Sequence, residues 1–436
     1  MKQSIKRIRM VSLALIIASS SCIYAANHKE KIAKPSTSLT LEVGEEWEMI
    51  LERLIAEDYE AVESIYEGDG GVKEVWEKVI TECGEVTQAI LKSCQTFQDR
   101  SKYTVVLIGD KGTEEIVIEV TGGKILSQLV FDALLEESQE SFKVSERPTT
   151  LRTGNYIMDG TLTLPITSNK VPVILFVHDK GVMSQEGEVE GIEIFKELAQ
   201  GLAKRGIASY RYDKRTGIYP KKLEGEGAFT FEEIVIEDML SAIKLVSTYE
   251  AIDRENIYLI GQGVGGLALP EINRQTDLVK GYILLDTPAR DLIDVAMMQV
   301  ETFAKAQTWT NSKKVLYVAS NRLDAEVIRG LNNDTKVKEL NFFGITNALW
   351  SQLNSYNQVE AIKEIKGPMM IIQGEKNQKI GMRNFLIWQE ALLGSETVSF
   401  IRYPYLNERL VSEASDSEQV SQSLMQDMAQ WIKENE

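Results

Sequence analysis

Histidine is nearly missing from this sequence. Its 436 residues hold two, His28 and His178, alongside three cysteines, Cys22, Cys83 and Cys94. No His/Cys cluster at metal-ligand spacing can be drawn from so few, so neither a metal nor another cofactor is expected. Beyond the N-terminal region no apolar run reaches the ~18 residues that a membrane-spanning helix requires. Positive charge is also short: 48 Lys and Arg stand against 65 Asp and Glu, a formal net charge of −17. That balance argues against nucleic acid and against anionic membrane surfaces as partners. Internal repeats and low-complexity tracts are absent. What remains is an ordinary globular composition, 43% hydrophobic and 26% charged, with length enough for two or three domains.

The first residues stand apart. Lys2, Lys6, Arg7 and Arg9 form a basic region, Met10 to Ala18 is apolar, and Ser19, Ser20 and Ser21 lead into further small residues. This is the pattern of a secretory signal over residues 1–26 and implies export. Cys22, directly after the three serines, is a lipidation candidate; the alternative is plain secretion with cleavage near Ala25. In an exported chain Cys83 and Cys94 either form a disulfide or remain two buried thiols.

Residues 40–145 read as a small α+β domain. Apolar positions at three-to-four spacing from Glu45 to Tyr66 predict a helix, followed by a shorter one near Val72 to Ile80. Strand-like runs Tyr103–Ile108, Glu115–Val120 and Ile125–Phe131, separated by glycine turns, predict an antiparallel meander. Glu146 to Gly154 reads as a linker. From residue 155 to 436 unbroken apolar strands alternate with helices, which predicts a mostly parallel sheet covered on both faces. Helix-rich residues 291–366 interrupt the alternation as an inserted cap.

The stretch Ile257-Tyr-Leu-Ile-Gly-Gln-Gly263-Val-Gly-Gly-Leu-Ala-Leu-Pro270 reads as strand, sharp turn, helix. It is similar to the G-x-S-x-G nucleophile elbow of α/β-hydrolases, with Gly263 where the serine would stand. Other motifs follow in the order of that family. His178-Asp-Lys-Gly181 resembles its oxyanion loop, Tyr212-Asp-Lys-Arg-Thr216 a loop of exported members, Gln373-Gly-Glu-Lys-Asn377 the strand end bearing the triad acid, and Tyr403-Pro-Tyr-Leu-Asn-Glu408 the histidine segment. The first domain resembles the small nuclear-transport-factor-like domains that precede some exported members. The resemblance implies an α/β-hydrolase fold with a helical cap, and ancestral action on esters or related acyl substrates.

Each chemical seat is nevertheless changed: serine to Gly263, acid to Asn377, histidine to Glu408. Acyl transfer needs a nucleophile, a base and a group that orients the base. Glycine offers no side-chain atom, and no imidazole is at hand, since His178 fits a packed loop histidine better than a base. Glycine also relieves the strained backbone of an elbow, by roughly 1 kcal/mol. The expected protein is therefore a pseudo-hydrolase that binds a small ligand or a protein partner. Its site candidates are His178, Asp179, Lys180, Val264, Asp213, Arg215 and Glu375, with the degenerate seats Gly263, Asn377 and Glu408. In this scheme Val264 supplies one oxyanion N–H and Asp179 brings an adverse negative charge nearby. Restoring serine, aspartate and histidine together should leave the fold largely intact and create weak esterase activity.

Two other readings stand beside it. Acidic loop residues, Glu408 foremost, could carry acid–base work in an active hydrolase. Gly261, Gly263 and Gly266 also spell the dinucleotide fingerprint G-x-G-x-x-G, with Asp286 placed as a ribose-binding acid.

Overall fold

The computed structural model describes residues 23–25, 46–67, 71–123, 125–131, 141–181, 183–226, 230–331, 338–340, 342–413 and 418–436. Most of residues 1–26, where a secretory signal is expected, lie outside them, including Cys22. The chain divides into two compact units, Met1–Gln139 and Glu140–Glu436.

The first unit begins with a short strand β1 (Ile23–Ala25) paired antiparallel to β2 (Val86–Phe97). Three helices, Glu46–Ile55, Tyr59–Glu63 and Val72–Cys83, precede β2. The meander continues through β3 (Arg100–Gly109), β4 (Thr113–Thr121) and β5 (Ile125–Phe131), each antiparallel to the last. Trp47, Ile50, Leu51, Leu54, Trp76 and Val79 bring the helices' apolar faces onto the inward residues of the sheet. The single helix expected over Glu45–Tyr66 is broken: Glu57 adopts φ 58° and Asp58 accepts a 2.9 Å ion pair from Arg53. Cys83 and Cys94 are both buried, and no disulfide joins them.

The second unit opens with β6 (Val144–Thr153), paired antiparallel to β7 (Tyr156–Pro165). This corrects the linker expected at Glu146–Gly154. Pro148 misled that reading, but β6 is an outer strand, where a residue without an N–H is tolerated. The order runs β6, β7, β11 (Ala208–Tyr212), β8 (Val171–Val177), β12 (Ile252–Gln262), β13 (Gly281–Leu285), β14 (Met369–Gly374), β15 (Val398–Tyr403). From β11 to β15 every pairing is parallel. A separate two-stranded ribbon, β9 (Glu188–Val189) with β10 (Ile192–Glu193), precedes helix Ile194–Lys204.

Both faces are covered, and the alternation along one strand shows how. Val173, Leu175 and Val177 join the core built with helices Glu237–Val246, Leu269–Gln275 and Met382–Ala391. Ile174 and Phe176 join the opposite core, built with Ile194–Lys204 and Gln422–Glu434. A strand buried on both sides has no polar alternation to show, hence its continuous apolar run. Between β13 and β14 four helices, Leu292–Ala306, Asn311–Arg329, Asn347–Asn354 and Gln358–Ile362, occupy the expected cap region. No helix among the described residues is long and apolar enough to cross a membrane.

Candidate functional site

Parallel strands deliver their following loops to one edge of the sheet, and ligand sites of open α/β sheets form there. At this edge β12 ends on Gln262, and the chain turns through Gly263 (φ +54°) into a short 3-10 segment, Gly263–Ala268, and then helix Leu269–Gln275. The turn presses on its neighbours. A Cβ at Gly265 would lie 2.3 Å from the His178 carbonyl oxygen, and one at Gly266 would lie 2.1 Å from Thr287 Oγ1. Those glycines are required by close packing of the chain on itself.

The space beside Gly263 is filled by Asp179. Its Oδ1 accepts a 2.7 Å hydrogen bond from the Val264 N–H. A Cβ on Gly263 would stand 2.5 Å from the same oxygen. The donor that would face a developing oxyanion in an acyl-transfer site is thus bonded to a carboxylate of the protein itself. Lys214, buried behind this loop, donates from Nζ to the Asp179 carbonyl at 2.6 Å. Burial lowers the Lys214 pKa to about 8, with Asp179 and Asp238 opposing the shift. Lys180 turns toward the cap, where Nζ lies 3.4 Å from the centre of the Phe343 ring; burial lowers its pKa as well.

His178 is packed between aromatics, edge-on to Tyr212 at 5.0 Å and tilted on Phe195 at 5.5 Å. Burial, with Lys214 nearby, pushes its pKa down to about 3, against a hydrogen bond to the Tyr212 backbone. The ring is neutral at physiological pH and anchored in the loop. Asn377, which follows β14, spends its Oδ1 on the N–H groups of Lys379 and Ile380, at 3.0 and 3.3 Å. Glu408, which follows β15, lies 3.6 Å from Lys379 Nζ, which also meets Glu190 at 2.9 Å.

The other three candidates face elsewhere. Asp213 accepts from the Gln185 N–H at 2.8 Å and ties its loop to the segment that follows β8. Arg215 is buried in a two-pronged pair with Asp238, at 3.0 and 2.5 Å, and also reaches Glu237 at 2.9 Å. Glu375 pairs with Arg402 at 3.1 Å. The loops therefore gather Asp179, Val264 and Lys214 around Gly263, and Glu408 with Lys379 beside the acid strand.

One further residue of this edge, expected from the sequence only as a ribose ligand, carries a perturbed carboxyl. Asp286 follows β13, is buried, and holds φ 48°, an uncommon conformation for a residue other than glycine. Its Oδ1 accepts the Gly374 N–H at 2.9 Å. Burial foremost, and then the charge of Glu408, raise its pKa to about 7, although Gly374 and Asn377 favour the charged form. Asn377 reaches toward it, yet Oδ2 closes no hydrogen bond of good geometry. An aspartate ending an apolar strand, in Ile283-Leu-Leu-Asp-Thr287, is the sequence signal that marks it. Because its carboxyl is turned toward Gly374, it does not stand as a ribose ligand. With Asp179 on the Val264 N–H, the turn also presents a carboxylate where a dinucleotide would bring its pyrophosphate, and like charges repel. Among the described residues no group of three or more His, Cys, Asp or Glu side chains could hold a metal.

A hairpin followed by six parallel strands, helices on both faces, and a strand–turn–helix elbow define the second unit as an α/β-hydrolase domain. The chain is similar to Esterase EstD of Thermotoga maritima, with 25% identity over 289 residues, 63% of this chain and 65% of that protein. It thus spans about two-thirds of that relative's length. Among solved structures it is similar to the esterase domain of a Rhodothermus marinus protein (16% identity, TM-score 0.43, 66% of this chain and 98% of that one). It is similar too to Est1E from Butyrivibrio proteoclasticus (12% identity, TM-score 0.44, 66% and 98%). The fold assignment rests on strand order and elbow. No family model matches the chain.

Proposed function

We propose that this protein is an exported pseudo-hydrolase: an α/β-hydrolase domain with esterase relatives that no longer performs acyl transfer and serves in binding a ligand or a protein partner. One contact carries the reading. The Asp179 carboxylate accepts the Val264 N–H at 2.7 Å, where catalysis would need an open donor, and it does so over a glycine that offers no nucleophile. The nearest histidine is a buried neutral ring, and the acid and base seats hold an amide and a glutamate. Fluorophosphonate labelling and short-chain ester turnover should both match a protein-free blank. A label mapped to any residue near 263 would overturn the proposal. Export, with or without a lipid at Cys22, belongs to the same proposal. Fractionation of a tagged chain tests it, and an intact N-terminus in the cytosol would count against it.

A second reading draws on Asp286. A carboxyl with a pKa near 7 beside Glu408 is suited to proton transfer. On that reading slow ester hydrolysis would be found without fluorophosphonate labelling, and Asp286→Asn would abolish it. Turnover unchanged in that variant removes Asp286 from consideration.

A further inference from the structure

Helix Asn311–Arg329 faces the wrong way for a cap element. Ala325 and Ile328 are its buried residues, whereas Val315, Leu316 and Leu323 are 69%, 71% and 70% exposed. At 100° per residue, Val315, Leu316, Ala319, Leu323 and Val327 fall within one arc of about 120° on the solvent side. An amphipathic surface helix normally turns that arc inward. Five of the eleven strongly exposed large apolar residues among the described residues lie on this helix or, as Phe303, on its hairpin partner Leu292–Ala306. The four on the helix, Val315, Leu316, Leu323 and Val327, share that one arc. At the hairpin tip Phe303, Trp309 and Tyr317 make a mutual aromatic cluster with centroids 5.3 to 5.9 Å apart.

Charge identifies the occupant. From Thr302 to Leu323 the chain has no Asp or Glu and four basic residues, within a protein of net charge −17; Arg322 is paired with Glu301 at 3.2 Å and Lys314 donates to the Lys305 carbonyl at 2.9 Å, while the Lys305 and Lys313 side chains are exposed at the tip. Lys313 Nζ lies 4.3 Å over the Trp309 ring, so a cation and an aromatic share the tip. A second copy would bring the same basic tip against itself. The opposite charge is needed. Aliphatic side chains about 70% exposed have no walls beside them, so the patch is no groove for a peptide; it suits a soft surface into which side chains sink. We propose that this hairpin tip docks on an anionic lipid bilayer, with the helix lying in the interface and its apolar arc in the acyl boundary. The acidity of the whole protein opposes approach, but charges farther than about 8 Å are largely screened at physiological salt. The proposal is independent of whether the elbow is silent.

The test is co-sedimentation of the full-length chain with vesicles of phosphatidylcholine alone or with one-quarter phosphatidylglycerol. Two double variants are compared with the parent, Leu316→Ser with Leu323→Ser, and Lys305→Gln with Lys313→Gln; all four side chains are exposed, and thermal melts check folding. Binding should favour the anionic vesicles, fall at least about tenfold in the leucine variant, and fall about thirtyfold in the lysine variant. Equal binding by all three chains, binding indifferent to lipid charge, or a concentration-dependent dimer lost in the leucine variant would each overturn it.

Discussion

Gly263 and Asp179 share one volume, so neither residue can be judged alone. A serine at 263 would carry a Cβ 2.5 Å from Asp179 Oδ1 and hold φ near +54°. Asp179 would have to leave the Val264 N–H. Gly263→Ser should therefore destabilise the protein by about 1–3 kcal/mol in urea titrations. In an Asp179→Ala background it should cost at least about 1 kcal/mol less, a coupling that a double-mutant cycle reads directly. Additive costs would mean that Asp179 swings aside freely.

Asp286 makes a pH prediction at the same scale. Its pKa is raised to about 7 in the folded state, against about 3.9 for an unperturbed aspartate. The folded state therefore holds this proton more tightly. The associated stability is fully present below about pH 4 and is lost as pH rises through 7, so the slope of unfolding free energy against pH is negative in that window. Asp286→Asn keeps an oxygen for the Gly374 N–H and removes the titration. Relative to the parent, it should gain stability between pH 5 and pH 8 by up to roughly 2–3 kcal/mol. Parallel pH–stability curves for parent and variant would refute the assignment.

Elements were legible wherever burial was one-sided or total. Val171–Val177 and Gly281–Leu285 are unbroken apolar runs, and each is a strand over its whole length. The misses have physical causes. Strand β2 carries Lys92, Ser93 and Gln95 among its apolar residues, and its pairing with β3 shifts register between Leu91 and Ser93, so a clean period of two is absent. The helix expected over Glu45–Tyr66 keeps its apolar spacing through a break that turns on Glu57, and periodicity does not report a left-handed residue. Glu57→Gly should relieve that conformation and raise stability by about 0.5–1 kcal/mol in thermal or urea unfolding. A loss would show that the Glu57 side chain contributes more than its backbone strain costs.

At the scale of the whole molecule, the order of motifs along the chain disclosed the frame: the segments expected as elbow, acid strand end and histidine loop each follow a parallel strand of one sheet. The rotamer of Asp179 was not disclosed. Its proximity to the oxyanion site could be read from His178-Asp-Lys, but its bond to Val264 depends on an elbow and a loop 85 residues apart closing on each other. That bond changes the expectation for restoring the triad. Gly263→Ser, Asn377→Asp and Glu408→His together were expected to be tolerated; with Asp179 in place the new serine meets a carboxylate in its own seat, and the oxyanion donor is already engaged. The triple variant should be destabilised and inactive on short-chain esters. Adding Asp179→Gly vacates the volume and frees the Val264 N–H, and one oxyanion donor is typically worth about 3 kcal/mol in the transition state. The quadruple variant should hydrolyse p-nitrophenyl acetate at least one to two orders of magnitude faster than the triple, and only it should take a fluorophosphonate label at position 263. A folded quadruple variant with turnover at the blank would mean that the three loops no longer converge on Gly263, and that the frame has lost the geometry of catalysis along with its residues.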